Sequence, residues 1–536
     1  MGNIKNIFKN KKSLIAIIVS AVILLALIAC LIVWKAKPKG MVVAVSNLPD
    51  SLNPILEQNT SGLNADELIF DGLTNFEVDQ DTGKLYTELA LAETIEQDPG
   101  DKKTYTITLR EAYWHDGSPV TAQDVVFSYD AYVLPENKSP KRDYINSFIE
   151  SASVIDDFTL EIVFRNPIPE FRAYPVLTFK IIPSRFNGED MDVNLREGEN
   201  ERRFATEPVG TGPFKLKKWE IGKQLVFDAN GNYHKIPPKA ANLTMKRVID
   251  PFARMNELRR GSVNLVLETN PMDHDTVLKM KGVNISSFIP YAFYAVSINT
   301  SLFPKKEGRQ AMAYALNREK LVPGITDKEE GIVLNYGPFP SNLFQLNFPE
   351  YIDEPLPNNM PFDLKQSKTL AKKGDISGQN INLIYPDSMG EFGKVLSEGI
   401  AKQLKEIGID VDVKKTGDKV FERMVYKEKS YEMALIYHDG FDNVYSSLGE
   451  LYRSDGEQNI TGISDKQLNA LFDKWDKEVT MEAWSDLTIK LYDKICDLSP
   501  ALYLCTLQKD VYSKGLKNVV IASDNPFLSV EDWIFE

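Results

Sequence analysis

The chain has 536 residues, and its 62 Lys and Arg against 76 Asp and Glu give a formal net charge of −14. Hydrophobic residues make up 43% and aromatic residues 10%, which is enough for a sizeable core and excludes a disordered protein. At roughly 100–200 residues per domain, the length predicts two to four domains. The acidic balance argues against a nucleic-acid partner, because phosphates require a basic face.

The first predicted element is a membrane segment near the N-terminus. Lysines within residues 5–12 precede an uncharged run of 21 residues, Leu14 to Trp34. At about 1.5 Å per residue, a helix of this length spans the roughly 30 Å hydrocarbon core of a bilayer. One interpretation is a permanent membrane anchor. The other is a bacterial lipoprotein signal, because Leu27-Ile28-Ala29-Cys30 resembles a lipobox in which Cys30 is lipidated.

Under either interpretation the chain is tethered to the cell membrane, and most of it faces the outward, extracellular or periplasmic side. Against the lipobox, apolar residues continue from Leu31 to Trp34, where lipoproteins usually become polar. The residues that follow, 35–40, are a short polar linker. The sequence therefore leaves open whether the Leu14–Trp34 helix is retained or Cys30 carries a lipid.

The next elements are read from apolar periodicity and turn residues. Met41–Val45 is a short apolar run and predicts the first buried strand. Thr104–Leu109 alternates polar and apolar residues, which is typical of a half-buried strand. Asp116-Gly117 predicts a turn, and Thr121 with Asp124 three residues on predicts the capping box of a helix.

The stretch from Leu109 to Ser128 also carries a family resemblance. It reads Leu109-Arg110, Trp114-His115-Asp116-Gly117-Ser118-Pro119, Thr121-Ala122, Asp124-Val125 and Phe127-Ser128. This long, ungapped pattern resembles the signature of the extracytoplasmic solute-binding proteins, family 5, which serve the peptide/nickel (oligopeptide and dipeptide) ABC importers. Further segments resemble the family in its own order: Ser51–Pro54, Glu67–Leu73, Pro208–Phe214, Asn232–His234, Met255–Asn264, Arg309–Arg318 and Phe362–Gly374.

The resemblance implies an α/β fold of the periplasmic-binding-protein-like class II. This is a three-lobed clamshell with two α/β lobes and an inserted lobe, here preceded by the membrane helix or signal. Lobe I is expected from residues 41–76, 209–290 and 509–536, lobe II from 77–208 and lobe III from 291–508. Two lobes would close about crossover strands on an extended ligand. The glycines of Pro208–Phe214 suggest a phosphate-binding loop, but no Lys-Ser/Thr follows, so a tight turn between lobes is preferred.

Several other elements are predicted from residue patterns. Val154–Phe164 predicts two strands joined at Asp156-Asp157, and 187–205, which is charged and poor in apolar residues, predicts a solvated loop. Gly261 stands where a helix C-terminus requires a left-handed residue. Alternation of strand, helix and strand over Ile381–Val413 predicts a βαβ unit. Further strand and helix predictions are Tyr431–Tyr437, Asp465–Trp475 and Met481–Cys496.

The candidate ligand site lies at the end of a predicted strand, where α/β sheets bind ligands. Met433–Tyr437 is followed by His438 and Asp439, in a stretch that resembles a family loop whose first Asp pairs with the free α-amine of a peptide. The resemblance therefore implies Asp439 as the amine partner, with Tyr437 and His438 beside it and Tyr294 as a weaker candidate. A turn-forming Asp and a core Tyr are the alternatives. The loop departs from the family pattern because no Trp precedes Asp439 and Asn443 replaces a Pro.

No pattern in the sequence supports catalysis or a cofactor. Nucleophile-elbow Gly-x-Ser-x-Gly and zinc-type CxxC or CxxH spacings are missing from the printed sequence. A metal site of His438, Asp439 and Asp442 is conceivable, but no regular ligand spacing supports it. Cys496 and Cys505 could form a disulfide, although two buried thiols are preferred.

The resemblance implies a membrane-tethered substrate-binding protein of an ABC importer. Its partners would be a peptide ligand and permease subunits driven by cytoplasmic ATPases, and hinge closure would capture the peptide. One alternative is the same fold binding a non-peptide solute, such as a metal chelate or a sugar. The other is a tethered sensor that has lost transport.

Overall fold

A computed structural model describes residues 40–57, 59–80, 85–269, 274–321, 331–340, 360–439, 444–522 and 525–535. The predicted membrane segment Leu14–Trp34, with Cys30, and the loop residues 440–443 lie outside these ranges. Among the residues that are described, every helix is too short or too polar to cross a membrane.

The described chain is a mixed α/β fold, as the sequence predicts. Its strands are β1 Gly40–Val45, β2 Thr74–Val78, β3 Leu85–Leu89, β4 Ala92–Gln97, β5 Thr104–Leu109, β6 Ile149–Asp156, β7 Thr159–Phe164, β8 Arg185–Phe186, β9 Glu189–Asp190, β10 Phe214–Glu220, β11 Gln224–Ala229, β12 Asn242–Arg247, β13 Leu265–Val266, β14 Val283–Phe288, β15 Phe293–Ile298, β16 Ile332–Leu334, β17 Asn380–Pro386, β18 Asp410–Thr416, β19 Met433–His438, β20 Ala501–Leu507, β21 Lys509–Lys514, β22 Leu516–Lys517 and β23 Ile534–Phe535.

The α-helices of the described ranges lie between these strands. They are α1 Thr60–Ile69, α2 Ala122–Val133, α3 Arg142–Phe148, α4 Glu170–Val176, α5 Glu199–Phe204, α6 Pro251–Arg260, α7 His274–Leu278, α8 Lys306–Ala315, α9 Arg318–Leu321, α10 Leu364–Lys373, α11 Gly390–Lys405, α12 Asp418–Glu422, α13 Val444–Tyr452, α14 Lys466–Trp475 and α15 Met481–Leu498.

A seven-stranded sheet forms around the first strand, in the order β10-β11-β12-β1-β13-β21-β14. Strand β1 is parallel to β12 and β13, and Gly40 stands opposite Asn242 at the start of the β1–β12 ladder. The other pairs are antiparallel. The prediction of a buried strand at Met41–Val45 is confirmed, because Met41 and Val43 are fully buried.

A six-stranded sheet has the order β16-β20-β15-β19-β17-β18. Strand β17 is parallel to both β18 and β19, and α11 connects β17 to β18. The predicted βαβ unit is therefore confirmed. Apolar clusters cover both faces of this sheet, since Ala434 and Ile436 point to one cluster and Met433 and Leu435 to the other.

The family signature forms part of a four-stranded antiparallel sheet, β4-β5-β7-β6, and the helix after it. The predicted half-buried strand is β5, with Tyr105, Ile107 and Leu109 inward. The capping box is also confirmed, because the Thr121 N–H donates to Asp124 Oδ2 at 2.8 Å. The core of this sheet is continuous with that of the seven-stranded sheet.

The predicted solvated loop at 187–205 is wrong in part. Helix α5, Glu199–Phe204, lies in this stretch and ends in a buried phenylalanine. The ring of Phe204 lies 6.0 Å from that of Phe70 and 5.5 Å from that of Phe186. Phe204, together with the buried Met191 and Leu195, thus orders a segment whose composition is otherwise polar.

The two cysteines of the described chain are free and buried. Burial raises the pKa of both thiols, that of Cys505 to about 12. The preferred interpretation, two buried thiols, is confirmed, and the disulfide alternative is wrong.

Two short crossovers connect the seven-stranded sheet to the six-stranded sheet. The chain passes from β14 to β15 through residues 289–292, and it returns from β20 to β21 through Gln508. The crossovers lie side by side, because the Thr506 hydroxyl donates to the Ala292 carbonyl at 2.5 Å.

A second contact joins the four-stranded unit to helices of the six-stranded unit. Helix α4 contributes Phe171, whose ring lies 5.7 Å from that of Trp484, and Arg172. The buried Arg172 guanidinium donates to the Trp475 carbonyl at 3.1 Å, at the C-terminus of α14. A cation in this position complements the partial negative charge of a helix end.

Candidate functional site

The predicted site residues meet at the end of β19, next to the crossovers. Strand β19 is antiparallel to β15, so that Tyr437 stands opposite Tyr294 and His438 opposite Phe293. The Tyr294 and Tyr437 rings lie 4.8 Å apart, and Asp439 follows the strand with an exposed side chain. The structure therefore places Tyr294, Tyr437, His438 and Asp439 at one end of the sheet, with the Tyr294 and Tyr437 rings on one face and His438 on the other. Cys30, Asp442 and Asn443 lie outside the described residues.

His438 is a neutral aromatic member of this group at physiological pH. Burial lowers the pKa of its imidazole to about 4. Its ring lies 5.3 Å from that of Phe293, on the opposite face of the sheet from the rings of Tyr294 and Tyr437. Asp439 thus follows a strand end whose last residue, His438, is uncharged.

Lys509 is a site residue that sequence reasoning missed. It is the first residue of β21, and its ammonium lies 5.5 Å from the centre of the Tyr437 ring. This is within the range of a cation–π contact. Its position in the sequence could have indicated it, because Lys509 directly follows the second crossover and residues at a crossover lie close to both sheets.

A cavity of about 1150 Å³ lies in the unit of the seven-stranded sheet. Its walls include residues at or just after the carboxyl ends of the parallel strands β1, β12 and β13, where α/β sheets bind ligands. Both Oε atoms of Glu268 accept from the Ser46 N–H, at 3.1 and 3.0 Å, and the Arg247 Nε donates to the Ser46 carbonyl at 3.3 Å. Sequence reasoning missed this wall, although the ends of the strands were a usable signal.

The cavity wall and the Asp439 surface adjoin at the crossovers. The Thr269 hydroxyl, one residue after Glu268, donates to the Asp510 carbonyl at 2.5 Å. Asp510 follows Lys509, which contacts Tyr437 in the six-stranded sheet. A rotation at the crossovers would therefore change the distance between the two surfaces.

Within the described ranges, no group of three or more His, Cys, Asp or Glu side chains is arranged to hold a metal ion. A metal site using Asp442 involves a residue outside those ranges.

The family-like segments around Glu67–Leu73, Pro208–Phe214 and Asn232–His234 form a buried polar network. Its centre is Asp71, which accepts from Asn75 Nδ2 at 2.7 Å, from the Thr211 hydroxyl at 2.9 Å and from the Tyr233 hydroxyl at 3.1 Å. Burial opposes ionisation, yet His234, Lys180 and these hydrogen bonds hold the pKa of Asp71 below its usual value. In this structure, hydrogen bonds to Asp71 hold these segments together.

The glycines of Pro208–Phe214 allow a close approach of two backbones. A Cβ on Gly210 would lie 1.9 Å from the Ile69 carbonyl oxygen. The Gly212 N–H donates to the same carbonyl at 2.8 Å. This supports the predicted tight turn and leaves no place for a phosphate at these amides.

His115, in the family signature, fixes the same turn. Its Nδ1 accepts from the Gly210 N–H at 3.3 Å, so its Nε2 carries the proton and donates to the Gly212 carbonyl at 3.0 Å. Burial lowers the pKa of this imidazole to about 4. The folded state therefore holds the ring neutral, in one tautomer.

We expect stability to fall in acid because of His115. In the unfolded chain the imidazole takes up a proton near pH 6.5, whereas in the folded protein it stays neutral down to about pH 4. The contribution of His115 to the free energy of unfolding is therefore complete above pH 6.5 and declines as the pH falls below that value. The loss is about 1.4 kcal/mol per pH unit for one proton. Urea unfolding between pH 7 and about pH 4 should show a shallower decline for His115→Gln. An unchanged decline in the variant would contradict the assignment.

Comparison with known proteins gives one family match over most of the chain. Residues 87–459 match the family described as "Bacterial extracellular solute-binding proteins, family 5 Middle". A relative is the oligopeptide-binding protein AppA of Bacillus subtilis, 26% identical over 388 residues, which cover 69% of this chain and 68% of the relative.

Solved structures share the fold. The substrate-binding protein CtaP of an ABC transporter of Listeria monocytogenes superposes with a TM-score of 0.79 at 23% identity, over 93% of this chain and 100% of that one. Bacillus subtilis AppA in complex with a nonapeptide superposes with a TM-score of 0.74 at 20% identity, with the same coverage. At these identities the likeness establishes a solute-binding-protein fold.

Proposed function

Because the chain belongs to the bacterial extracellular solute-binding proteins of family 5, we propose that it captures peptides in a cleft and delivers them to the permease of an ABC importer. One observation carries the proposal. An exposed carboxylate, Asp439, follows a strand whose Tyr437 ring lies 5.5 Å from the ammonium of Lys509, the residue that follows the second crossover. A peptide offers the matching groups, a free ammonium and a chain of apolar and polar side chains.

The proposed lobes follow the sheets. Lobe I comprises residues 41–76, 209–290 and 509–536, lobe II 77–208 and lobe III 291–508. In support, the seven-stranded sheet takes its strands from 40–45, 214–288 and 509–514, the four-stranded sheet from 92–164 and the six-stranded sheet from 293–507. Together these form the proposed three-lobed clamshell.

Closure is proposed as a rotation of lobe III about residues 289–292 and Gln508. It brings the wall of Ser46 and Glu268 toward Asp439 and encloses the peptide. The peptide stabilises the closed form because it contacts both walls only there, which is its differential affinity for the two states. Closure also excludes water, and an ammonium taken out of water requires a carboxylate partner.

The proposed location is the outer side of the cell membrane. The tether is either the Leu14–Trp34 helix or a lipid on Cys30, and the partners are permease subunits with cytoplasmic ATPases. The uncharged run of 21 residues and the family match support this location.

Native mass spectrometry of the full chain, purified without added ligand, tests the proposal. Retained masses that fragment into short peptides support it and give their length. A single retained metal chelate or sugar would overturn the peptide assignment. An empty protein that also ignores a mixed peptide pool would favour the tethered sensor.

We also expect peptides to stabilise the folded protein. A ligand at a hundredfold excess over its dissociation constant adds about 2.7 kcal/mol to the free energy of unfolding. The urea transition should shift when a peptide pool is added, and the same pool after hydrolysis to amino acids serves as the control. Equal transitions in both samples would contradict peptide binding.

A further inference from the structure

One end of the seven-stranded sheet is strongly basic. It is the end at which β1 starts, and we call it the basic end. The side chains at this end are Arg259, Arg260, Lys279, Lys281, Lys514 and Lys517. All are exposed except Lys514, which is half-buried. A cluster of six cations contrasts with the formal net charge of −14 of the chain.

The strand register brings these residues to one end. Strand β13 is parallel to β1, and α6, which carries Arg259 and Arg260 in its last turn, ends just before β13 begins. Strand β21 is antiparallel to β13 and finishes at Lys514, which stands opposite Val283 at the start of β14. The Lys514 ammonium donates to the Arg259 carbonyl at 2.5 Å.

The remaining cations flank the same strand ends. Lys279 and Lys281 immediately precede β14, and Lys517 follows β21 by three residues. Within the described part of the chain, none of the six cations forms an ion pair with a carboxylate. Five of the six side chains are exposed, so an external anion can reach them.

We propose that the basic end docks on the anionic phospholipid headgroups of the membrane that carries the proposed tether. The inference rests on the proposed function for that tether. Strand β1 begins at Gly40, at the basic end, and only five residues, 35–39, separate it from the apolar run Leu14–Trp34. Five residues reach at most about 18 Å.

Charge complementarity favours a bilayer over other occupants. In the sequence, Lys35, Lys37 and Lys39 lie between the predicted membrane run and strand β1. Lys and Arg near an anionic surface attract it within a Debye length, about 8 Å at physiological salt. Docking would direct the carboxyl ends of β1, β12 and β13, and the cavity beside them, away from the bilayer.

The test uses the full chain reconstituted into vesicles whose headgroups carry a fluorescence quencher. A fluorophore on Ser262→Cys reports on the basic end, and one on Ile221→Cys reports on the cavity end, 88% exposed. The unmutated chain, labelled in parallel, corrects for native cysteines. We expect quenching at 262 on phosphatidylcholine mixed with phosphatidylglycerol, little on phosphatidylcholine alone, and its loss near 1 M salt, where screening is strong.

The charge variant neutralises four cations that make no side-chain hydrogen bond in the described chain, namely Arg260→Gln, Lys279→Gln, Lys281→Gln and Lys517→Gln. We expect the ratio of docked to undocked protein to fall at least about tenfold. The matched control, which also removes four exposed charges, is the α10 variant Lys365→Gln, Lys368→Gln, Lys372→Gln and Lys373→Gln. It should change the ratio less than about twofold.

The outcomes separate the two proposals. A chain that does not float with vesicles overturns the tether and this inference together. A chain that floats while the probe at 262 stays unquenched overturns only the docking. Equal quenching on both lipid mixtures, or at both probe positions, would also overturn it, because the contact would not then depend on the charge of the basic end.

Discussion

Replacing Asp439 by Asn is expected to lower the affinity for peptides with a free α-amine about a hundredfold. The substitution keeps the size of the side chain and removes its charge. A hydrogen bond to a charged group contributes about 1.5–3 kcal/mol, and a buried charge that loses its partner costs about 3–5 kcal/mol. Titration calorimetry with a short peptide measures the change directly.

The neighbouring strand supplies a matched control for Asp439. Asp387 follows β17 as Asp439 follows β19, and these strands are parallel. The carboxylate of Asp387 pairs with Lys415 at 2.8 Å. Asp387→Asn should therefore change peptide affinity less than about twofold, since an exposed ion pair contributes little.

The chemistry of the peptide distinguishes amine pairing from a general effect on the cleft. An N-acetylated peptide has no ammonium, so it should bind the native protein weakly. Its affinity for the Asp439→Asn variant should be nearly the same as its affinity for the native protein. If both peptides lose equal affinity in the variant, Asp439 shapes the loop and does not pair with the amine. If neither loses affinity, the assignment of Asp439 is wrong.

The strand that carries Asp439 was predictable because its signal is local. An apolar run followed by polar residues identifies β19, and the antiparallel partner β15 carries Tyr294. The contact with Lys509 could not be predicted in the same way. It joins two residues that are 72 positions apart in the sequence, and it depends on how the two sheets meet at the crossovers.

The second wall of the cavity illustrates the same limit. Ser46 and Glu268 are 222 residues apart, and their contact follows from the parallel pairing of β1 with β13. Neither residue belongs to a motif, so only the order of the strands in the sheet brings them together. The error at 187–205 has a different cause: composition averaged over the segment concealed its few buried apolar residues, Met191, Leu195 and Phe204.

The resemblance located motifs correctly but could not tell packing from binding. Asp71, Thr211 and Tyr233 belong to segments typical of the family, and the structure joins them in one network away from Asp439. A buried carboxylate with several donors is compatible with a ligand site or with a structural one. The hydrogen bonds that Asp71 accepts from Asn75, Thr211 and Tyr233 are the observation that favours a structural role.

The Asp71→Asn variant is expected to lose about 3 kcal/mol or more of folding stability. The native carboxylate is 1% exposed and accepts three side-chain hydrogen bonds. An amide in its place directs an NH₂ group at donors, so at least one buried hydroxyl or amide loses its acceptor, and the charge that faces His234 disappears. Buried groups left unpaired cost about 1–3 kcal/mol each.

Urea unfolding followed by tryptophan fluorescence measures this loss, with Asp486→Asn as the matched control. Asp486 is exposed on α15, and its substitution should stay within about 0.5 kcal/mol. Tyr233→Phe removes one donor and should cost about 1 kcal/mol, and less than that in the Asp71→Asn background, because the two residues share a bond. Additive losses would show that the Tyr233 hydroxyl has another partner. If Asp71→Asn lowered the free energy of unfolding by less than about 1 kcal/mol, the residues around position 71 would have relaxed to accommodate the amide. The family-like segments that meet at Asp71 would then not be explained by the packing of this network.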